Sequence, residues 1–369
     1  MAIRVLHIVT YMGRGGLETM LMNYYRHIDK NKVQFDFLVH RDFEADYDVE
    51  ILKMGGKIFR VSRLVPWSNS YKKELRKFFR EHPEYKIVHV HQDCLSSVAL
   101  KVAKECGIPV RIAHCHSSSA DKNIKYPIKM YYKKKIPLYA TELFTCGKSA
   151  GDWMFGGHEY QIIRNAIDTR QYRYNPVTGG RVRKEFDLEN ELVIGHVGRF
   201  NPPKNHRFLI DVFSKIVKKV PNAKLLLVGD GDGRTEIQEK VVTMGIQDNV
   251  IFTGIRTDVN ELMQAMDVFV FPSLYEGLPV TMVEAQAAGL PCIVSDHVPQ
   301  ECVITNGLVT IQKLEDTPEN WAEHILSETE KQWQSRGREA YYNEIKDSGY
   351  DITEAAKWLE CYYTTHSGE

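Results

Sequence analysis

Residues 268–296, VFVFPSLYEGLPVTMVEAQAAGLPCIVSD, read as a strand, a turn, a helix and a second strand. The run at 268–271 is an unbroken series of β-branched and aromatic residues, the pattern of a strand buried on both faces. The turn follows at 272–277. Pro279 suits the first turn of a helix, where a missing N–H costs nothing and φ is already set, and 281–288 continue that helix. The apolar run at 292–294 then returns as a strand. Glu276 therefore lies in the loop before the helix and Glu284 on it, with seven residues between them. The free N–H groups of such a helix start point at any anion above the strand. A loop carboxylate, a row of backbone donors and a helical carboxylate suit a ligand with hydroxyls at both ends and a diphosphate in the middle. A nucleotide-sugar is such a ligand. Two carboxylates can also flank a glycosidic bond as acid and base, but one on a loop and one on a helix read better as the two ends of a clamp.

The same alternation extends in both directions. Strands are predicted at 3–9, 33–39, 87–90, 110–114 and 143–145, with helical patterns such as 17–28 and 71–81 between them. The segment 164–180 has neither period and reads as a linker. A second series then runs through 192–197, 224–228, 250–252, 268–271 and 292–294, and helical patterns follow from 308 to a last aromatic-rich helix at 352–363. Alternating strands and helices imply parallel, doubly wound sheets. The expectation is an α/β protein of two Rossmann-like domains facing a deep cleft, with ligands beyond the carboxyl ends of the strands.

Composition bounds the rest. At 369 residues, 43% of them hydrophobic, the chain is long enough for two cores. No apolar run approaches the roughly 20 residues of a membrane helix, and MAIRVLHIV reads as a strand without a cleavage site, so a cytoplasmic protein is expected. The seven cysteines, Cys94, Cys106, Cys115, Cys146, Cys292, Cys302 and Cys361, are scattered without a C-x-x-C pair, as reduced thiols are. The formal net charge of zero conceals an asymmetry: residues 1–175 carry 29 Lys and Arg against 18 Asp and Glu, and the remainder 19 against 30. Attraction between two domains explains that division as well as a basic half facing an anionic surface does.

Motifs fall at the predicted strand ends. The first strand runs into TYMGRGGLE, where Gly13, Gly15 and Gly16 allow backbone to approach a phosphate. Neither this loop nor GDGDGR at 229–234 completes G-x-G-x-x-G, so neither points to hydride transfer on a dinucleotide. The strand at 192–197 ends in GRFNPPKN, and the fixed cations Arg199 and Lys204 suit a leaving diphosphate, as a divalent metal does elsewhere. His89 and His91 in VHVHQD, and His114 and His116 in IAHCHSSS, share a face at i and i+2, but no third ligand is evident and no metal site is expected. His116, before Ser117–Ser119, is the candidate for contact with a sugar or acceptor hydroxyl. Between 122 and 135 lie Lys122, Lys125, Lys129, Lys133, Lys134 and Lys135 with Tyr126, Tyr131 and Tyr132 interleaved, on a helix limited by Pro127 and Pro137. Such a surface suits anionic headgroups; a solvated basic helix is the alternative, and no nucleic-acid motif accompanies it.

Taken together, the GGLE loop, IAHCH, RNAID, GRFNPPKN, LLLVGDGDG, FTGIRTDV, FPSLYEGLPVTMVEAQAAGLP and NGLV, in this order over nearly the whole length, resemble a retaining glycosyltransferase of the GT-B fold, family GT4, of the type that builds capsular polysaccharide and exopolysaccharide. The resemblance implies an N-terminal acceptor domain, 1–170, a donor domain, 171–349, and a C-terminal helix, within 350–369, packing back on the first. Glu276 would hold the donor sugar and Glu284 the ribose. Arg199 and Lys204 would grip the diphosphate, with Gly15, Gly16 and the backbone of Gly277, Leu278, Pro279 and Val280. Ile255 would line the nucleobase, and His116 would sit by the sugar, so that His116, Glu276, Arg199 and Lys204 form the catalytic set. Arg164 departs from the family, which often has proline there. The implied reaction moves a hexosyl group from a nucleotide-sugar, UDP-linked above all, to a glycan or polyprenyl-diphosphate-linked acceptor, with retention and with neither metal nor other cofactor. Lys129, Lys133, Lys134 and Lys135 would then face acceptor or inner membrane, making the enzyme peripheral there. A nucleotide-sugar epimerase and a non-catalytic nucleotide-sugar-binding protein are the rival readings.

Overall fold

In the computed structural model, which describes residues 2–120, 123–332 and 337–367, the chain divides into two compact units. Met1–Ala166 with Ile352–Glu369 form the first, and Ile167–Asp351 the second. Lys122 lies outside the described residues.

The first unit is built on seven parallel strands, β1 (Ile3–Ile8), β2 (Val33–Val39), β3 (Ile58–Arg60), β4 (Ile87–Val90), β5 (Val110–Cys115), β6 (Glu142–Thr145) and β7 (Gln161–Ile162), in the order β3-β2-β1-β4-β5-β6-β7. The middle strands are largely buried on both faces because helices cover both, as parallel crossovers require. The helix Ile352–His366 belongs to this unit. It buries Ile352, Ala356, Leu359 and Tyr363, packing on the helix Gly16–His27 and on β1 and β2.

The second unit repeats the plan with β8 (Val193–Val197), β9 (Lys224–Val228), β10 (Val250–Gly254), β11 (Val268–Phe271), β12 (Cys292–Ser295) and β13 (Val309–Gln312), ordered β10-β9-β8-β11-β12-β13. Its core gathers Phe213, Leu225, Leu227, Val268, Val270 and Trp321. In each sheet the chain steps outward one way from its first strand and then returns to that strand's other side. The reversal at β1/β4 and at β8/β11 opens a crevice beyond the strand ends, where doubly wound sheets bind ligands.

Several expectations need correction. The strands β3, β7 and β13 are absent from the sequence reading, and 308 onward begins with a strand rather than a helix. All three are short edge strands without a fully buried residue, so they lack the apolar run that betrays a central strand. The segment 164–180 is no bare linker: Thr169–Tyr172 and Pro176–Glu185 are helical. Asn175 caps the second, accepting from Val177 N at 3.0 Å, and Pro176 stands at its start, which outweighs Gly179 and Gly180 within it. The helix expected between Pro127 and Pro137 is two helices, Tyr126–Lys133 and Ile136–Tyr139, since the two prolines each sit in a first turn instead of bounding one span.

Candidate active site

At the β8/β11 reversal two loops meet. The first leaves β8 through Gly198 and Arg199 into the turn Pro202–Lys204, and the second leaves β11 at Pro272 and enters the helix Val280–Ala287. Leu274 N donates to the Pro203 carbonyl at 2.8 Å and Asn205 Nδ2 to that of Pro272 at 3.2 Å, fixing one loop on the other. Asn205 takes a left-handed φ of 54° to leave the turn, a conformation its short polar side chain tolerates. Lys204 Nζ donates to Glu276 Oε1 at 2.6 Å and stands 4.5 Å from the Phe271 ring centroid. Arg199 is exposed nearby in sequence on the same loop.

The helix Val280–Ala287 begins after Pro279 with no side chain capping it, and Met282 N donates to the Pro279 carbonyl at 3.1 Å; a helix start without a side-chain cap is a place where an anion can be taken. Leu278 and Val280 are buried and Gly277 is partly exposed. Glu284 is buried one turn in, and Tyr172 Oη donates to its Oε1 at 2.7 Å. Burial raises the Glu284 carboxyl to about 7, against the pull of that hydrogen bond. Tyr172 escaped the sequence reading because it lies in the supposed linker. Ile255, 53% exposed, follows directly on β10. In the glycine-rich loop after β9, Gly229, at φ 135°, lies so close that a Cβ would strike the Gly198 carbonyl oxygen. Its glycines let the β8 and β9 loops touch.

The first unit carries the remaining candidates. His7 pairs in register with His89, and His91 and His114 continue the same face of β1, β4 and β5. His116 follows β5, partly exposed, with its Nε2 3.0 Å from His91 Nδ1. The fold supplies the third nitrogen that the sequence lacked: His7, His89 and His91, and likewise His91, His114 and His116, each bring one ring nitrogen within 4.8 Å of the others. Most of these nitrogens are engaged with one another. His7 went unnoticed because a lone histidine in an apolar strand gives no pattern.

Gly15 precedes the helix Gly16–His27 with no side-chain cap, and a Cβ on Gly16 would meet nothing within 4 Å. On Gly15 it would meet the Glu18 carboxylate, which folds back over the helix start. In the basic segment Lys134 is exposed, but Lys133 Nζ lies 4.3 Å from the Trp153 ring and Lys135 Nζ 3.9 Å from that of Tyr131; Lys129 is partly buried.

Residues 14–171 match the family described as Glycosyltransferase Family 4, and 191–329 the family described as Glycosyl transferases group 1. A protein of Bacillus subtilis (strain 168), EpsF, whose name carries a provisional glycosyltransferase assignment, is 37% identical over 333 residues, 87% of this chain and 86% of its own. The UDP-Gal:alpha-D-GlcNAc-diphosphoundecaprenol alpha-1,3-galactosyltransferase of Escherichia coli is 27% identical over 238 residues, 60% of this chain and 61% of its own. Anabaena Alr3699/HepE, solved in complex with UDP and glucose, superposes with a TM-score of 0.83 over 98% of this chain and all of its own at 16% identity, a likeness of GT-B fold. Two doubly wound sheets, family matches over both halves and a relative aligned along most of its length agree: the chain is a glycosyltransferase and belongs to glycosyltransferase family 4.

Proposed function

We propose that the protein transfers a hexosyl group from a UDP-sugar, with retention, to a hydroxyl of a glycan or polyprenyl-diphosphate-linked sugar in the making of a cell-surface polysaccharide. The observation that carries this reading is the Lys204–Glu276 pair at the β8/β11 reversal, beside an uncapped helix start with Glu284 buried on it. Glu276 takes the sugar hydroxyls and Glu284 the ribose. Arg199, Lys204 and the N–H groups about Leu278–Val280 stabilise the departing diphosphate, so neither metal nor other cofactor is assigned. His116 contacts a sugar hydroxyl, Ile255 the base, and the open space at Gly16 admits phosphate. The specificity named for the E. coli relative, a UDP-galactose donor and a diphosphoundecaprenol-linked acceptor, supports the substrate class.

No helix among the described residues is long and apolar enough to cross a membrane. A cytoplasmic enzyme peripheral at the inner membrane face suits the exposed Ile124, Tyr131 and Leu138 set among lysines. The test is to incubate the protein with a panel of UDP- and GDP-sugars, with and without a lipid-linked acceptor. Donor consumed only when acceptor is present is the expected result; epimerisation of the donor alone overturns the transferase reading.

A further inference from the structure

Five histidines on one face of the first sheet form two strings of hydrogen bonds. In the first, His7 Nδ1 lies 3.1 Å from His91 Nε2, and His91 Nδ1 lies 3.0 Å from His116 Nε2. In the second, Tyr363 Oη lies 2.7 Å from His89 Nδ1, and His89 Nε2 lies 3.1 Å from His114 Nδ1. Burial keeps these rings neutral: His7 and His116 are lowered to about 3, and His89, His91 and His114 well below the ordinary histidine value.

A neutral imidazole has one N–H and one lone pair, so each link dictates the tautomer of the next ring. Three rings in the first string carry three N–H groups for two links, and the third must emerge at one end. If donation runs from His116 towards His7, the surplus proton sits on His7 Nε2, which is buried and unpartnered among the described residues. If it runs from His7 towards His116, the surplus proton is His116 Nδ1–H, on the partly exposed ring beyond β5. The second direction leaves His7 only an unmet lone pair, beside Phe35 and Phe37 at ring separations of 4.2 and 5.6 Å. A stranded buried donor is the rarer and costlier defect.

We infer that His7 and His91 are positioning residues, which fix His116 as the Nδ1–H tautomer so that it donates to an oxygen of the sugar substrate. This rests on His116 meeting substrate, as assigned under Proposed function. The second string does not bond to His116. It runs from the Tyr363 hydroxyl through His89 to His114 without reaching His116, and so serves as a control.

The test uses full-length protein labelled with ¹⁵N-histidine and long-range ¹H–¹⁵N correlation spectra, which separate Nδ1–H from Nε2–H rings; loss of signal in His116→Asn assigns the resonance. Wild type should show His116 neutral and protonated at Nδ1. His91→Asn, whose amide can donate where the imidazole Nδ1–H did, should keep that signal, as should Tyr363→Phe. His91→Phe should shift His116 to Nε2–H and lower kcat/KM by about tenfold or more, as a wrong tautomer does in other histidine sites. A wild-type His116 protonated at Nε2 overturns the inference, and needs no variant to fold. A normal transfer rate in His116→Asn overturns the substrate contact, and with it the donor role, even where the tautomer is as stated.

Discussion

Lys204 and Glu276 hold each other at 2.6 Å with side chains only 17% and 12% exposed, so each answers a charge that would otherwise be poorly solvated. A donor sugar that bonds Glu276 and presents its diphosphate to Lys204 keeps both groups answered while drawing them apart. Glu276→Ala and Arg199→Ala should each slow transfer on the order of 100-fold, the loss typical of removing a group that stabilises transition-state charge, with the circular-dichroism spectrum unchanged. Near-normal rates in both would remove these residues from the site. Glu284 adds a pH dependence. Its carboxyl is raised to about 7 by burial, so the native state holds its proton more tightly than the unfolded chain. That contribution to stability is complete below the unfolded value near 4.5 and is lost as pH rises through about 7. Ribose hydroxyls that donate to the carboxylate favour the opposite form. The affinity for UDP-glucose, whose diphosphate has no group titrating there, should therefore strengthen about tenfold from pH 6 to pH 8. Calorimetry on wild type and Glu284→Gln decides it: a slope that survives in the variant excludes Glu284 as its origin.

At the scale of elements, the loops after β8 and β9 owe their approach to a missing side chain. Gly229→Ala forces a left-handed φ of 135° on alanine and drives a methyl into the Gly198 carbonyl, at about 3 kcal/mol or more. Gly245→Ala, at φ 68° with nothing within 4 Å, carries the conformational penalty alone, about 1 kcal/mol. Urea unfolding of the two should differ by that margin; equal losses would mean the β8 loop yields freely. What sequence reveals follows the same logic of packing. Strands such as Val268–Phe271 announce themselves because both faces are buried, whereas Gln161–Ile162 is exposed on both residues and pairs only along one edge. The meeting of Lys204 with Glu276 was legible because strand-end motifs are local. Tyr172 and His7 were not, because their partners Glu284 and His91 lie 112 and 84 residues away, and no periodicity records such a pairing.

Over the whole molecule, the chain's last helix completes its first unit, so that unit depends on both ends of the sequence. Removing residues 352–369 would strip Ile352, Leu359 and Tyr363 from the first unit's core, each worth about 1.5–3 kcal/mol of burial, a sum comparable with the whole stability of a domain. Limited proteolysis should then digest the first unit while a fragment near 167–351 persists; equal resistance of both would show the helix to be an accessory. Charge is the other whole-chain property, basic in residues 1–175 and acidic beyond. Its sharpest local expression is the segment about Tyr126–Lys133, where Ile124 and Leu138 are 92% and 61% exposed. Apolar side chains alone would aggregate and lysines alone would stay solvated, but the two together fit an anionic interface, at about 1 kcal/mol per lysine. Lys133 and Lys135 lean on aromatic rings, so reversing them would confound packing with charge. Lys125→Glu with Lys134→Glu alters exposed groups only, and should weaken sedimentation with phosphatidylglycerol vesicles by about tenfold or more at low salt. Unchanged sedimentation, or binding indifferent to salt, would leave this segment a solvated basic surface.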